Sequence, residues 1–196
     1  QPSLRLLLAD LKSQNDDNAG AEREIRQVLN VQPLHPQALQ DYARLQLKLG
    51  RKDEVMQQLQ ASAEAAKGKP EALPIGLLLA DVQQSNGQSA EAMATYKGLA
   101  ASHPTDPRPL LALALLQHSQ GQLDAARVSL QQAKLHSAPV AAGVLDQVAA
   151  GWAVGRVRKQ APSANASDLK APVAPAPTPA DESETGGDGL AGGGGA

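Results

Sequence analysis

The chain has 196 residues and a formal net charge of −2, so we expect neither nucleic acid nor an acidic membrane surface as its main partner. It contains no cysteine, which excludes disulfides and thiolate metal sites. Phenylalanine is absent and only 2% of the residues are aromatic, a composition that suits closely packed helices better than strands. The longest apolar runs fall well short of the roughly 20 residues that a membrane span needs.

Four pairs of helices, each with a first helix A and a second helix B, are predicted in chain order. The A helices are placed near 3–15, 36–49, 73–86 and 107–120, and the B helices near 19–32, 53–67, 90–103 and 124–137. The turns within the pairs lie at Asp16, Gly50, Gly87 and Gly121. Each B helix then carries a small residue and, four residues later, a large apolar one, as in Ala92 and Tyr96. The small residue lets two helices approach closely, and the large one fills the adjacent groove.

The turn residues recur at a nearly constant spacing. Asp16 and Gly50 are 34 residues apart, as are Gly87 and Gly121, whereas Gly50 and Gly87 are 37 apart, which fits a three-residue insertion near 67–69. This 34-residue helix-turn-helix period resembles the tetratricopeptide repeat. Repeats are expected at about 2–35, 36–72, 73–106 and 107–140. The resemblance implies an all-α fold, a right-handed α-solenoid of antiparallel helix pairs.

The chain departs from the family pattern at two positions of each A helix. The family's common Trp is replaced by Arg5, Leu39, Gly76 and Leu110, and its common Tyr by Lys12, Gln46, Gln83 and Gln117. Because these aromatic side chains are missing, we expect a core that is less fully packed than in a consensus array.

Two further segments follow the repeats. Residues 141–160 are predicted to form a capping helix on the last B helix, through Val140, Val144, Leu145, Val148, Trp152 and Val154. Residues 161–196 are Ala/Pro-rich, then acidic, then Gly-rich, with too few apolar side chains to offset the entropy of ordering. We interpret this last segment as a disordered tail.

No motif for catalysis or cofactor binding is recognised. A phosphate loop, a dinucleotide fingerprint, a nucleophile elbow and an HExxH sequence are all missing. The histidines are His35, His103, His118 and His136. No two of them lie three or four residues apart, so local spacing provides no metal site. The prediction is a chain that is not an enzyme and holds neither cofactor nor metal.

The family resemblance implies that the A helices line a concave groove in which a partner binds. Transferring the family's groove-facing positions one by one gives Leu6, Asp10, Ser13, Gln40, Arg44, Leu47, Lys48, Leu77, Asp81, Gln84, Arg108, Leu111, Leu115 and His118. This set mixes leucines with charges of both signs. An alternative for each leucine is that it packs against a neighbouring A helix instead of facing the groove.

Arg44 and Lys48 are the strongest polar candidates in this set. They lie four residues apart on one helix and therefore share a face. Arg44 is expected to contact a carboxylate or a backbone carbonyl of the partner. The alternative is an internal ion pair of Arg44 with Asp10 or Asp81 that only tunes the surface.

The resemblance implies a non-catalytic scaffold or adaptor that binds a peptide or helix of another protein, with assembly of a complex as one role it can serve. The Asn positions of the clamp that holds heat-shock protein tails correspond to Leu7, Asp41 and Leu78, so a receptor for such tails is disfavoured. The alternative function is a regulatory repeat fragment of a larger enzyme or of a secretion or biogenesis machine. The compartment stays open: cytoplasmic, or tethered to a membrane by a segment upstream of Gln1.

Overall fold

Pairs of helices joined by tight turns make up the part of the chain that the computed structural model describes, residues 1–160. The helices within this range are α1 (Pro2–Gln14), α2 (Asn18–Val31), α3 (Pro36–Lys48), α4 (Lys52–Ala65), α5 (Ala72–Ser85), α6 (Ser89–Ser102), α7 (Arg108–Ser119), α8 (Leu123–Leu135) and α9 (Pro139–Gln160). Helices α1, α3, α5 and α7 are the predicted A helices, and α2, α4, α6 and α8 are the predicted B helices. The predicted tail, 161–196, lies outside the described residues.

The turn inside each pair is built on one residue with a positive φ. These residues are Asp16 at 61°, Gly50 at 77°, Gly87 at 79° and Gly121 at 77°. In each turn the next amide donates to the carbonyl five residues before it, at 2.9 Å, and so closes the end of the A helix. Glycine takes this backbone conformation without a Cβ penalty, and Asp is one of the few other residues that tolerate it. The sequence pattern that marked Asp16 as equivalent to the glycines therefore has a conformational basis.

Each B helix packs its apolar face against the A helix that follows it. In the first of these contacts, Ala21, Ile25 and Val28 of α2 form one buried cluster with Ala38, Tyr42 and Leu45 of α3. Comparable clusters join α4 to α5 and α6 to α7. The small residues of the B helices, such as Ala92, are fully buried, and so are the large residues one turn later. The core is therefore continuous from one helix pair to the next.

Polar pairs that are buried or partly buried involve the A-helix positions at which the family commonly has Tyr. The pairs are Lys12 Nζ with Glu24 Oε1 at 2.8 Å, Arg51 Nη1 with Gln46 Oε1 at 3.0 Å, Thr95 Oγ1 with Gln83 Oε1 at 2.8 Å, and Ser129 Oγ with Gln117 Oε1 at 2.8 Å. Three of the four join residues 12 positions apart, one on the A helix and one on its B helix. The buried Oε1 atoms of Gln46, Gln83 and Gln117 thus each have the partner that a buried polar group needs, whereas the buried Gln46 Nε2 has none.

Helix α9 packs against α7 and α8 through one side only. Leu145 is buried in a cluster with residues of both helices, and Trp152 packs at the edge of that cluster. Lys134 Nζ lies 2.6 Å from Asp146 Oδ1 at the same contact. The predicted packing is wrong for Val140, which is 85% exposed, and for Val144, which is 55% exposed, because neither side chain lies on the side of the helix that buries Leu145. The Val154 side chain lies beyond those that the structure describes.

Candidate functional site

The first three A helices lie side by side. Helix α1 contacts α3, and α3 contacts α5. We call the surface carried by α1, α3, α5 and α7 the A-helix face. One position of the repeat shows how it changes along the array, since Asp10, Arg44, Asp81 and Leu115 occupy equivalent places on the four helices. At this position the A-helix face is charged on α1, α3 and α5 and apolar on α7.

A depression of about 120 Å³ lies between α1 and α3. Its walls carry Asp10, Ser13, Asp41, Arg44 and Lys48, and its floor is formed by Ala9, Ala21, Ile25 and Leu45. The predicted site residues Asp10, Arg44 and Lys48 therefore meet at one place. The apolar floor with a rim of both charges suits a peptide segment that offers a small apolar side chain beside a polar group.

The cations of this depression are held loosely. Arg44 forms an ion pair with Asp41 on its own helix. The internal ion pair with Asp10 or Asp81, which the sequence analysis gave as the alternative, is not the one observed. Lys48 Nζ lies 3.6 Å from Asp16 Oδ1, at the turn that follows α1. Both cationic side chains are at least half exposed. Exposed pairs of this kind contribute about 0–1 kcal/mol, so a partner carboxylate can compete for either cation at little cost.

Two other predicted site residues have partners outside the depression. Asp81 accepts a hydrogen bond from the buried Tyr96 hydroxyl of α6, at 2.5 Å. Burial raises the pKa of Tyr96, and the Asp81 carboxylate raises it further. Arg108 folds back on Asp106, with Nη2 2.8 Å from Oδ2. That hydrogen bond lowers the pKa of Asp106, at the start of α7.

The predicted leucines of the site divide into packed and exposed ones. Leu6 is buried, and the half-buried Leu47, Leu77 and Leu111 pack against core clusters. Leu115 is 49% exposed. The alternative of packing against neighbours thus describes the first four, and Leu115 is the predicted leucine that faces solvent most openly. The predicted Gln40 and Gln84 are also exposed.

The last predicted residue, His118, is covered by α9. Its ring stacks on Trp152, with the centroids 4.2 Å apart and the planes 12° from parallel. Sequence reasoning missed this contact, because it placed Trp152 against the last B helix and not against an A helix. The 34-residue separation of His118 and Trp152 was the available signal, since equivalent positions of adjacent A-type helices are neighbours.

Neither a metal-binding cluster nor a membrane-spanning helix is found among the described residues. Among residues 1–160, no three His, Cys, Asp or Glu side chains lie together in a way that could hold a metal ion. No helix in the same range is both long and apolar enough to cross a membrane.

The structure is an α-solenoid of helix pairs with an open A-helix face. The sequence pattern of the tetratricopeptide repeat matches residues 6–70 and 77–142, and the chain belongs to that family. Proteins of this family serve as interaction scaffolds and typically have no catalytic activity. A search of curated proteins finds no match.

Several solved structures resemble this chain in fold. PilW, described as a widely conserved type IV pilus biogenesis factor, is 22% identical with a TM-score of 0.56 over 82% of this chain and 72% of its own. PilF of Pseudomonas aeruginosa is 16% identical with a TM-score of 0.54 over 83% and 78%. MamA of Desulfovibrio magneticus RS-1 is 16% identical with a TM-score of 0.50 over 82% and 97%. At such low identity the likeness concerns the fold alone.

Proposed function

We propose that the chain is a non-catalytic scaffold that holds a peptide or helix of a partner protein on its A-helix face. The observation that carries the proposal is the depression between α1 and α3, where Asp10, Arg44 and Lys48 meet above an apolar floor. Side-chain cations that are only weakly paired are free to take a partner's carboxylate or carbonyl groups. Leu115, further along the face, offers an apolar contact.

The charges of the depression set the kind of segment that fits best. Arg44 and Lys48 lie one helical turn apart, so two acidic groups spaced by one turn of a partner helix can meet them together. Asp10 on the opposite wall disfavours a third acidic group and favours a basic or amide side chain there. We therefore expect a partner segment with acidic residues at i and i+4, preceded or followed by an apolar residue.

The test is a charge reversal within the depression. Immobilised full-length chain is used to capture partners, which are identified by mass spectrometry, and the capture is repeated with Arg44→Glu plus Lys48→Glu. The control carries the same change of charge at Arg23→Glu plus Lys97→Glu, exposed residues of α2 and α6. The first variant is expected to lose the partner and the second to retain it, because like charges then oppose each other only in the depression.

Stability separates a lost binding surface from a damaged fold. Each exposed ion pair removed costs about 0–1 kcal/mol, so both variants should melt within several degrees of the parent. Undiminished capture by the Arg44 and Lys48 variant would place the binding surface elsewhere on the chain.

A role in the assembly of a larger complex is the narrower form of this proposal. It is supported by PilW, which is described as a biogenesis factor and has a similar fold. The mass-spectrometric identification tests it: captured proteins that are subunits of one complex agree with it, and a single enzyme would favour a regulatory role instead.

A further inference from the structure

Asp16 occupies a turn position that is glycine in the other three helix pairs. Its φ is 61°, whereas those of Gly50, Gly87 and Gly121 lie between 77° and 79°. Aspartate tolerates a positive φ, but its Cβ makes this conformation less favourable than it is for glycine. A residue held in such a conformation is a candidate for a functional role.

The turn itself does not need the carboxylate of Asp16. The hydrogen bond that closes the turn runs from the Asp17 amide to the Lys12 carbonyl, at 2.9 Å, and involves no side chain at position 16. The cap of α2 is supplied by Asp17, whose Oδ1 accepts a hydrogen bond from the Gly20 amide at 2.9 Å. A glycine would therefore serve this turn at least as well as Asp16 does.

The carboxylate of Asp16 lies beside the depression between α1 and α3. It is 90% exposed, and its Oδ1 is 3.6 Å from Nζ of Lys48, which belongs to the wall of the depression. The same Nζ is 3.5 Å from Asn18 Oδ1, so Lys48 reaches the turn between α1 and α2. An exposed ion pair of this length contributes little to stability, which leaves the carboxylate available to a partner.

The repeat shows where Asp16 lies relative to the two cations of the depression. Asp16 is equivalent to Gly50, which follows Lys48 by two residues, and Arg44 precedes Lys48 by one helical turn. Because α1 and α3 are A helices of adjacent pairs and run in the same direction, Arg44, Lys48 and Asp16 follow one another along the depression. A partner that lies along α3 thus meets two positive charges and then a negative one.

The other two carboxylates of the depression lie towards its opposite end. Asp10 is equivalent to Arg44, and Asp41 pairs with Arg44. Each of these two carboxylates also accepts a hydrogen bond from a glutamine one turn away on its own helix, at 2.7 and 3.0 Å. Asp16 is therefore the carboxylate that a partner meets at the Lys48 end.

We propose that Asp16 determines the specificity of the depression by selecting a basic residue in the partner helix. When acidic residues at i and i+4 of that helix meet Arg44 and Lys48 in this order, its residue at i+8 lies one turn further on, at Asp16. A lysine or arginine there is attracted to the carboxylate of Asp16, and a third acidic residue is repelled. The inference rests on the function proposed above and adds a third charge to the recognised segment, which becomes acid, acid, base.

Three helical peptides test this order of charges. They are alanine-based, carry Glu at i and i+4 with a leucine beside the first Glu, and differ only at i+8, which is Lys, Ala or Glu. Fluorescence anisotropy with the full-length chain at low ionic strength gives their Kd values. The parent chain is expected to bind the Lys peptide at least about fivefold more tightly than the Glu peptide, with the Ala peptide between them.

Two substitutions at Asp16 and one matched control assign the preference to its carboxylate. Asp16→Asn removes the charge but keeps a residue that tolerates a positive φ, and the preference for the Lys peptide should fall below about twofold. Asp53→Asn, the same change at an exposed position of α4, should leave the preference as in the parent. Differences in helicity among the peptides cancel when their Kd ratio is compared between chains. Asp16→Gly should also lose the preference, and its melting temperature should equal or exceed that of the parent.

The outcomes separate this inference from the proposed function. No saturable binding of any peptide, or binding that is unchanged by Arg44→Glu plus Lys48→Glu, overturns both. Binding that depends on the two cations but shows no preference at i+8, or a preference that persists in Asp16→Asn, overturns the role of Asp16 alone. A melting temperature of Asp16→Gly more than about 4 °C below that of the parent would assign the carboxylate a structural role and overturn its selective role as well.

Discussion

One contact between an A helix and its B helix pairs a small residue with a large one, and the next helix pair has the two sizes the other way round. Gly76 of α5 lies against Leu99 of α6, and a Cβ built on Gly76 would meet Leu99 Cδ2 at 2.5 Å. At the equivalent positions of α7 and α8 the sizes are reversed, with Leu110 and Ala133. We predict that either single change towards the α7–α8 arrangement is destabilising and that the two together are not.

The magnitudes follow from the contact. Gly76→Leu overpacks the site at a cost of about 1–3 kcal/mol, offset by about 1 kcal/mol of helix propensity. Leu99→Ala removes a half-buried side chain and should cost about 1–2 kcal/mol, below the usual range for a fully buried leucine. The double variant restores the Leu110–Ala133 arrangement, so its free energy of unfolding should equal or exceed that of the parent. The coupling energy is then about 2 kcal/mol in favour of the double variant.

Urea denaturation followed by circular dichroism measures all four free energies of unfolding. The control is Gly98→Leu, on the same B helix at a position where an added Cβ meets nothing within 4 Å. Combined with Leu99→Ala, that change should be additive. If the changes in the free energy of unfolding of Gly76→Leu and Leu99→Ala simply add in the double variant, the two residues do not compensate for each other in size. A Gly76→Leu variant more stable than the parent would also refute the reasoning.

Three further predictions concern other parts of the fold. Ala92→Leu should lower the free energy of unfolding, measured by urea denaturation, by about 1–3 kcal/mol. Ala94→Leu, on the exposed side of the same helix, should be close to neutral, and equal effects of the two changes would show that the helix register is wrong. The hydrogen bond from Lys12 lowers the pKa of Glu24 from its ordinary 4.5, so the carboxylate stabilises the fold above that pH and the stabilisation is lost as pH falls through the lowered value. Melting temperatures of Glu24→Gln should accordingly fall below the parent at pH 7 and approach it near pH 3; a constant difference would contradict this. His118→Ala should shift the emission of Trp152 to longer wavelength by opening its ring to water, and an unchanged spectrum would show that the stacking is not maintained in solution.

The arrangement of the helices could be predicted almost completely from the sequence. Each of the eight helices predicted in pairs is present, with boundaries within two residues of the predicted ones. This precision comes from residues that fix helix ends and helix contacts locally. They are the turn residues at positive φ, such as Gly50, and the small residues at helix crossings, such as Ala92. A repeat also supplies the same information several times.

The site was predictable only in part, because side-chain partners are not a property of position in the repeat. Arg44 was expected on the correct face, yet its nearest carboxylate is Asp41, which shares its helix and turn. Asp81 occupies the equivalent position but is drawn towards Tyr96, a partner that only this pair supplies. Such choices depend on which neighbours reach each atom, and the family pattern carries no information on them.

The polar pairs between A and B helices follow a sequence signal that was present but not used. Lys12, Gln83 and Gln117 were recognised as departures from the family's Tyr. Their partners lie 12 residues later in each case, as with Ser129 for Gln117. Reading both positions together, instead of one at a time, would have predicted these hydrogen-bonded pairs.

Photo-crosslinking tests the central claim, binding on the A-helix face, most directly. A benzophenone amino acid is placed in turn at Gln40, Gln84 and Gln57, three exposed glutamines of which the first two lie on A helices and the third on α4. The full chain is irradiated with the partner identified by capture. The account predicts crosslinks to that partner from Gln40 and Gln84 and few or none from Gln57. Crosslinking from Gln57 with equal or greater yield, or none from the two A-helix positions, would contradict it.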